Sequence, residues 1–175
     1  MDFKKLMKRC RKHLLVDRSA ASYQSVAYGA DEIHRILPNR APFLFIDRIE
    51  GVDLEQQAVV GTRRIDSADP LFRGHFPDNP VYPGVLQLEM IAELFCCLFY
   101  FVTRNSVSVD DSGPVQLVAT RMHDCLLQHA VLPGDEVTVM TKVLELTELT
   151  YTGIGQLLVR DKIAVAVIGE FYIFE

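Results

Sequence analysis

Between Val85 and Val102 almost every position is apolar, interrupted only by the polar residues Gln87, Glu89 and Glu93. A stretch that is hydrophobic nearly all round, and that opens on Pro83 and Gly84, predicts a helix buried on every side. At Val115 the pattern changes. The segments "VQLVATRMHDCLLQ", "DEVTVMTKVLEL", "TYTGIGQLLVR" and "IAVAVIGEFYIF" are rich in β-branched residues, and "LPGD", a threonine-rich bend and "RDK" separate them. Long strands joined by tight turns are expected there.

Ahead of the helix, "DEIHRI" predicts a short helical turn, residues 43–50 a first strand and residues 57–65 a second. The proline-rich stretch "DSADPLFRGHFPDNPVYPG" predicts a loop. A buried helix followed by an antiparallel run of strands predicts an α+β fold in which one sheet wraps one helix. We assign residues 31–175 to this single domain. Residues 1–30 are assigned to a basic N-terminal extension, in which Leu6, Leu14 and Leu15 rest on the body, and to a linker, "SAASYQSVAYGA".

Composition narrows the class. A hydrophobic fraction of 49% with 23% charged residues over 175 positions is that of a globular chain able to bury its own core. Cys10, Cys96, Cys97 and Cys125 show neither a C-x-x-C pair nor a zinc-ligand spacing, so neither a metal site nor a disulfide framework is expected. The first residues, "MDFKKLMKRCRKHLLVDR", lack the features of a secretory signal, and a cytoplasmic setting follows as the expectation. The run "LFCCLFYFV" falls short of the roughly 20 apolar residues of a membrane span.

Charge is unevenly spread. Residues 1–18 hold seven Lys/Arg against two Asp/Glu, a local charge of +5 in a chain of net charge -5. The acidic remainder and the absence of a recognition motif argue against nucleic-acid binding. The basic segment is suited to docking an acidic partner or a membrane surface, or to lying as a solvated helical extension.

The chemistry concentrates in "GHFPDNPVYPGVLQLE", residues 74–89. Gly74 and Pro77 restrict the backbone around His75, and an imidazole accepts a proton near neutral pH. Glu89 lies in the first turns of an apolar helix, where burial favours the protonated acid and the helix N-terminus favours the anion. Unpaired N–H groups around Gly84 would make an oxyanion site. Base, acid and oxyanion donor together suit proton transfer next to a carbonyl. Taken singly, a loop histidine and a buried glutamate are ordinary structural residues.

The whole stretch resembles the 3-hydroxyacyl-acyl-carrier-protein dehydratases of hot-dog fold, of the FabZ type with its FabA relatives. Their hallmark reads G-H-F-P-x-x-P-V-M-P-G-V-L-x-x-E, and here only Tyr82 replaces the usual methionine. The segments "ILPNRAPFLFIDRI" and "LLQHAVLPGDEV" are similar to two further family segments, in the same order. The resemblance implies His75 as catalytic histidine and Glu89 as catalytic acid. It also implies Gly84 as backbone donor to the thioester oxygen and Val81 as the residue whose carbonyl orients the imidazole. The implied reaction is loss of water from a (3R)-hydroxyacyl thioester on acyl carrier protein. No metal, nucleotide or redox cofactor is expected, and the implied assembly is a homodimer or higher homo-oligomer in which the histidine of one copy faces the carboxylate of the other.

Some positions depart from the family. Glu93 stands where glutamine is usual, one turn after Glu89 on the same helix face. Tyr82 adjoins the site, Phe95, Phe99 and Tyr100 are bulky along the helix, and "LLQHA" lacks the basic residues usual there. Glu93 and Tyr82 are therefore expected to modulate the site. The rival readings are a hot-dog hydratase or thioesterase acting on coenzyme A esters, and a subunit that binds an acyl chain without catalysis.

Overall fold

A computed structural model describes residues 1–174. Its helices are α1 (Phe3–Cys10), α2 (Ala30–Ile36) and α3 (Gly84–Arg104). The strands are β1 (Tyr23–Tyr28), β2 (Arg48–Asp53), β3 (Ala58–Arg64), β4 (Leu117–Leu127), β5 (Glu136–Leu146), β6 (Thr150–Val159) and β7 (Lys162–Ile173). All seven strands form one antiparallel sheet in the order β1-β2-β3-β5-β6-β7-β4. The sheet curls around α3, so the predicted α+β arrangement of sheet and central helix is the observed one.

By length and composition α3 would suffice to cross a bilayer, more so than the run read from the sequence suggested. It is instead the core of this chain, with Met90, Ile91, Leu94, Phe95, Leu98 and Phe101 buried against the sheet. Gly153 and Gly155 of β6 make this close seating possible. A Cβ on Gly153 would meet the Phe95 ring at 2.3 Å, and one on Gly155 would meet the Ile91 methyl at 2.3 Å. A side chain larger than hydrogen at either position would force Phe95 or Ile91 aside. The hairpin between β6 and β7 turns on Arg160 and Asp161, both with positive φ (49° and 59°), which matches the twist of the flanking strands.

Three sequence expectations change. Residues 23–28, read as linker, form edge strand β1, pairing Tyr23 with Asp53 and Gln24 with Val52 of β2. The free edge of β2 supplies the ladder that composition alone could not reveal. Residues 43–47 are irregular, and the strand begins at Arg48. Leu14 is 61% exposed, whereas Leu6 and Leu15 do rest on the body.

The N-terminal extension is built into the outer face of the sheet. Met7 and Cys10 bury against Ile154, Ala166 and Ile168, and Val16 against Ala58, Val60 and Met140. Gln156, fully buried on β6, accepts from Leu15 N at 2.9 Å and donates to the carbonyls of Cys10 and His13. A buried amide satisfied this way fixes where residues 10–15 run.

Candidate active site

The loop before α3 is clamped at His75. The imidazole Nδ1 lies 2.8 Å from the Val81 carbonyl, and Val81 N–H donates to His75 O at 3.0 Å. Val81 thus closes a loop containing Pro77 and Pro80, and holds both the backbone and the ring of His75. A carbonyl only accepts, so Nδ1 carries the proton and Nε2 keeps its lone pair. In that tautomer the free nitrogen is the basic one. The His75 N–H is also bound, to Leu71 O at 2.9 Å, at the end of a 3-10 turn over Pro70–Arg73. The exposed ring of Phe76 stacks on the imidazole, with centroids 4.2 Å apart.

Gly84 opens α3 directly after Pro83. The first N–H groups of a helix have no partner within it, and they sit at its positive end. Here the N–H groups of Leu86 and Gln87 turn back to Pro83 O, while Gly84 lies ahead of them. A Cβ at Gly84 would stand 3.0 Å from Leu127 Cδ2 of β4, so the strand end comes down on bare backbone. The sequence carried no sign of this contact.

Glu89 follows on the partly exposed side of α3. Burial raises its carboxyl above the ordinary range, which favours the protonated acid. Among the described residues no hydrogen bond links Glu89 to His75 within one chain. The structure therefore joins His75 to Val81 within one loop that runs on into Pro83 and Gly84, and places Glu89 further along the helix that this loop starts.

Glu93 is hydrogen-bonded through both carboxylate oxygens. It is 2% exposed, accepts from Phe45 N at 2.7 Å and from Asn39 Nδ2 at 3.2 Å, and so ties α3 to the irregular segment before β2. Burial pushes its carboxyl up to about 7; the Glu89 carboxyl adds to the rise, and the Phe45 N–H and Arg63 oppose it. Arg63 stacks on Phe45 and donates to Leu44 O, completing the clamp around that segment. Tyr82 is also a core residue, 1% exposed, with its ring against Phe72 and its hydroxyl pushed up to about 12 by burial.

A cleft of about 290 Å³ runs between α3 and the strands β4 and β7. Leu88, Ala92, Phe95, Met122 and Phe171 are among its walls. Phe95 packs edge-on against Phe171 and Tyr151, which makes the inner wall aromatic. Phe95 was read from the sequence as bulk along the helix. The walls from β4 and β7 had no sequence signal, because only the sheet order brings them to α3.

These features can be set beside known proteins. Residues 37–167 match the family model described as the FabA-like domain. The chain is 34% identical over 125 residues to the 3-hydroxyacyl-[acyl-carrier-protein] dehydratase FabZ of Alkaliphilus metalliredigens, covering 71% of this chain and 77% of that protein. The FabZ of Caulobacter vibrioides is 33% identical over 133 residues, covering 76% and 80%. Among solved structures, the dehydratase heterocomplex ApeI:P from Xenorhabdus doucetiae superposes with a TM-score of 0.63 at 15% identity, over 82% of this chain and 91% of that one. A hypothetical thioesterase with coenzyme A from Streptococcus pneumoniae gives 0.53 at 9% identity, over 72% and 84%. At such identities the two structures speak for a shared hot-dog fold alone.

Proposed function

Because the chain belongs to the FabA-like family, we propose that it removes water from (3R)-hydroxyacyl thioesters on acyl carrier protein, giving trans-2-enoyl thioesters for fatty acid or related acyl-chain synthesis. The observation that carries the reading is the locked imidazole: Nδ1 bound to the Val81 carbonyl leaves Nε2 as a fixed base. In the proposed step Nε2 of His75 takes the proton next to the thioester carbonyl. Negative charge grows on the carbonyl oxygen and is met by the Gly84 N–H at the positive end of α3. Protonated Glu89 gives its proton to the departing 3-hydroxyl, which leaves as water while the electron pair forms the C2–C3 double bond. A raised carboxyl pKa suits that role, since an ionised Glu89 would have no proton to give. The apolar cleft between α3 and the strands β4 and β7 would take the acyl chain.

The proposed unit is a homodimer, with His75 of one copy facing Glu89 of the other. Support comes from β4, an edge strand of 11 residues on which Val118, Met122 and Leu127 are each about half exposed. A long apolar edge calls for a partner strand. The proposed setting is the cytoplasm, in keeping with four free cysteines.

Mass spectrometry of purified protein with a panel of 3-hydroxyacyl carrier proteins tests the reading. Loss of one water from the loaded arm is expected. Release of a free thiol without dehydration would overturn it in favour of thioester hydrolysis.

A further inference from the structure

The family match begins at residue 37, so α1 and the turn after it lie outside it. Lys4, Lys5, Lys8, Arg9, Arg11 and Lys12 are all exposed there, and among the described residues none forms an ion pair. Elsewhere the chain is acidic. These cations are held in place, because the apolar side of α1 is docked on the sheet through Met7 and Cys10, and Phe3 packs on His123 with centroids 4.6 Å apart. Fixing a charged face in advance lowers the cost of ordering it on binding.

The position of this face relates it to the site. Lys4, Lys8, Arg11 and Lys12 line a cleft with Asp124, its one carboxylate, and Leu126 of β4. Arg11 and Lys12 line a second one with Gln128, His129, Asp161 and Lys162. Gln128 Nε2 reaches the Arg11 carbonyl at 3.4 Å, and the neighbouring Leu127 is the residue seated on Gly84. A basic track therefore runs from α1 to the strand end beside the proposed oxyanion donor.

We propose that α1 and the Arg11–Lys12 turn form the docking face for the protein that delivers the acyl thioester, seating an acidic surface of that carrier beside the mouth at Gly84. The inference rests on the dehydratase reading above, which supplies a macromolecular substrate. A membrane is the weaker occupant, because the apolar side of the amphipathic helix is already buried in the sheet and has nothing left to insert.

The test compares two substrates, a 3-hydroxyacyl carrier protein and the same acyl group on a small pantetheine-like thiol. The charge-reversal variant R11E/K12E and the milder K4S/K8S are assayed against wild type at low and at high ionic strength. For the carrier-bound substrate KM should rise about tenfold at low ionic strength in the first variant, with kcat retained, a size at the lower end of electrostatic steering. High salt should erase most of that difference. The small thioester should be turned over equally by all three proteins. An unchanged KM for the carrier, or an equal loss on both substrates, would overturn the docking face. Absence of water loss from either substrate in the wild type would instead overturn the dehydratase reading. Fluorescence anisotropy of labelled carrier protein then still decides the docking face, since binding to wild type must weaken in R11E/K12E. Tighter binding of short DNA or of anionic vesicles than of carrier, lost in the same variant, would also refute it.

Discussion

His75 is held by Val81 on two sides, and neither contact supports the core, so removing the ring should leave the fold intact while removing the base. We predict that His75→Ala lowers the dehydration rate by roughly 10² to 10⁴-fold, with an unchanged melting temperature. A variant keeping a tenth or more of the activity would exclude the assignment. Glu93 gives a prediction about stability. Its carboxyl is raised to about 7 by burial, so the folded chain retains a proton that the unfolded chain releases near 4.5. Stability from this group is full below the unfolded value and is lost as pH rises through about 7. Glu93→Gln cannot ionise, and it should gain on wild type by up to about 3 kcal/mol between roughly pH 5 and pH 8. Urea midpoints of both proteins across that range check it. A constant gap would mean that Asn39 and the Phe45 N–H keep Glu93 ionised throughout.

Among the elements, α3 carries the proposed site, because its first residue is the proposed oxyanion donor, its second turn carries Glu89 and its third is clamped through Glu93. Its depth in the sheet is set by the glycines of β6. We predict that Gly153→Ala, which forces Phe95 aside, destabilises the chain by about 1–3 kcal/mol. Phe95→Leu in the same chain should recover part of the loss, measured by denaturant unfolding. Additive losses in the double variant would show that the strand, and not the Phe95 contact, limits the site.

At the scale of the molecule, the proposed dimer, with His75 of one copy facing Glu89 of the other, has a consequence that mixing can read. Homodimers of His75→Ala and of Glu89→Gln should each be inactive. Reassorted at random, half of the dimers pair one chain of each kind and carry one intact site of two, so activity should return to about a quarter of wild type. No recovery after verified exchange of chains would place both groups in one chain. Exposed Val118, Met122 and Leu127 on the edge strand β4 are the surface on which such pairing would close.

Local chemistry was legible in the sequence. The all-round apolar run from Val85 to Val102 could only be a central helix, and the prolines around His75 could only be a loop. The β-branched segments after Val115 appear as β4 to β7 at nearly the expected limits. Those features follow from backbone stereochemistry and hydrophobic period, which neighbouring residues decide among themselves. What required the tertiary structure were contacts between distant segments. Tyr23–Tyr28 became a strand because β2 had a free edge, and Leu127 came to rest on Gly84 because the sheet order brings β4 past the start of α3. Glu93, equal to Glu89 in sequence pattern, was turned by Asn39 and Phe45 into a buried clamp. Residues 4–12 read as a charged extension, and only burial of Met7 and Cys10 together with the reach of Gln156 fixed that charge to one face of the sheet. Periodicity records which side of an element is apolar; which partner meets that side depends on chain closure over many residues, and no local pattern carries it.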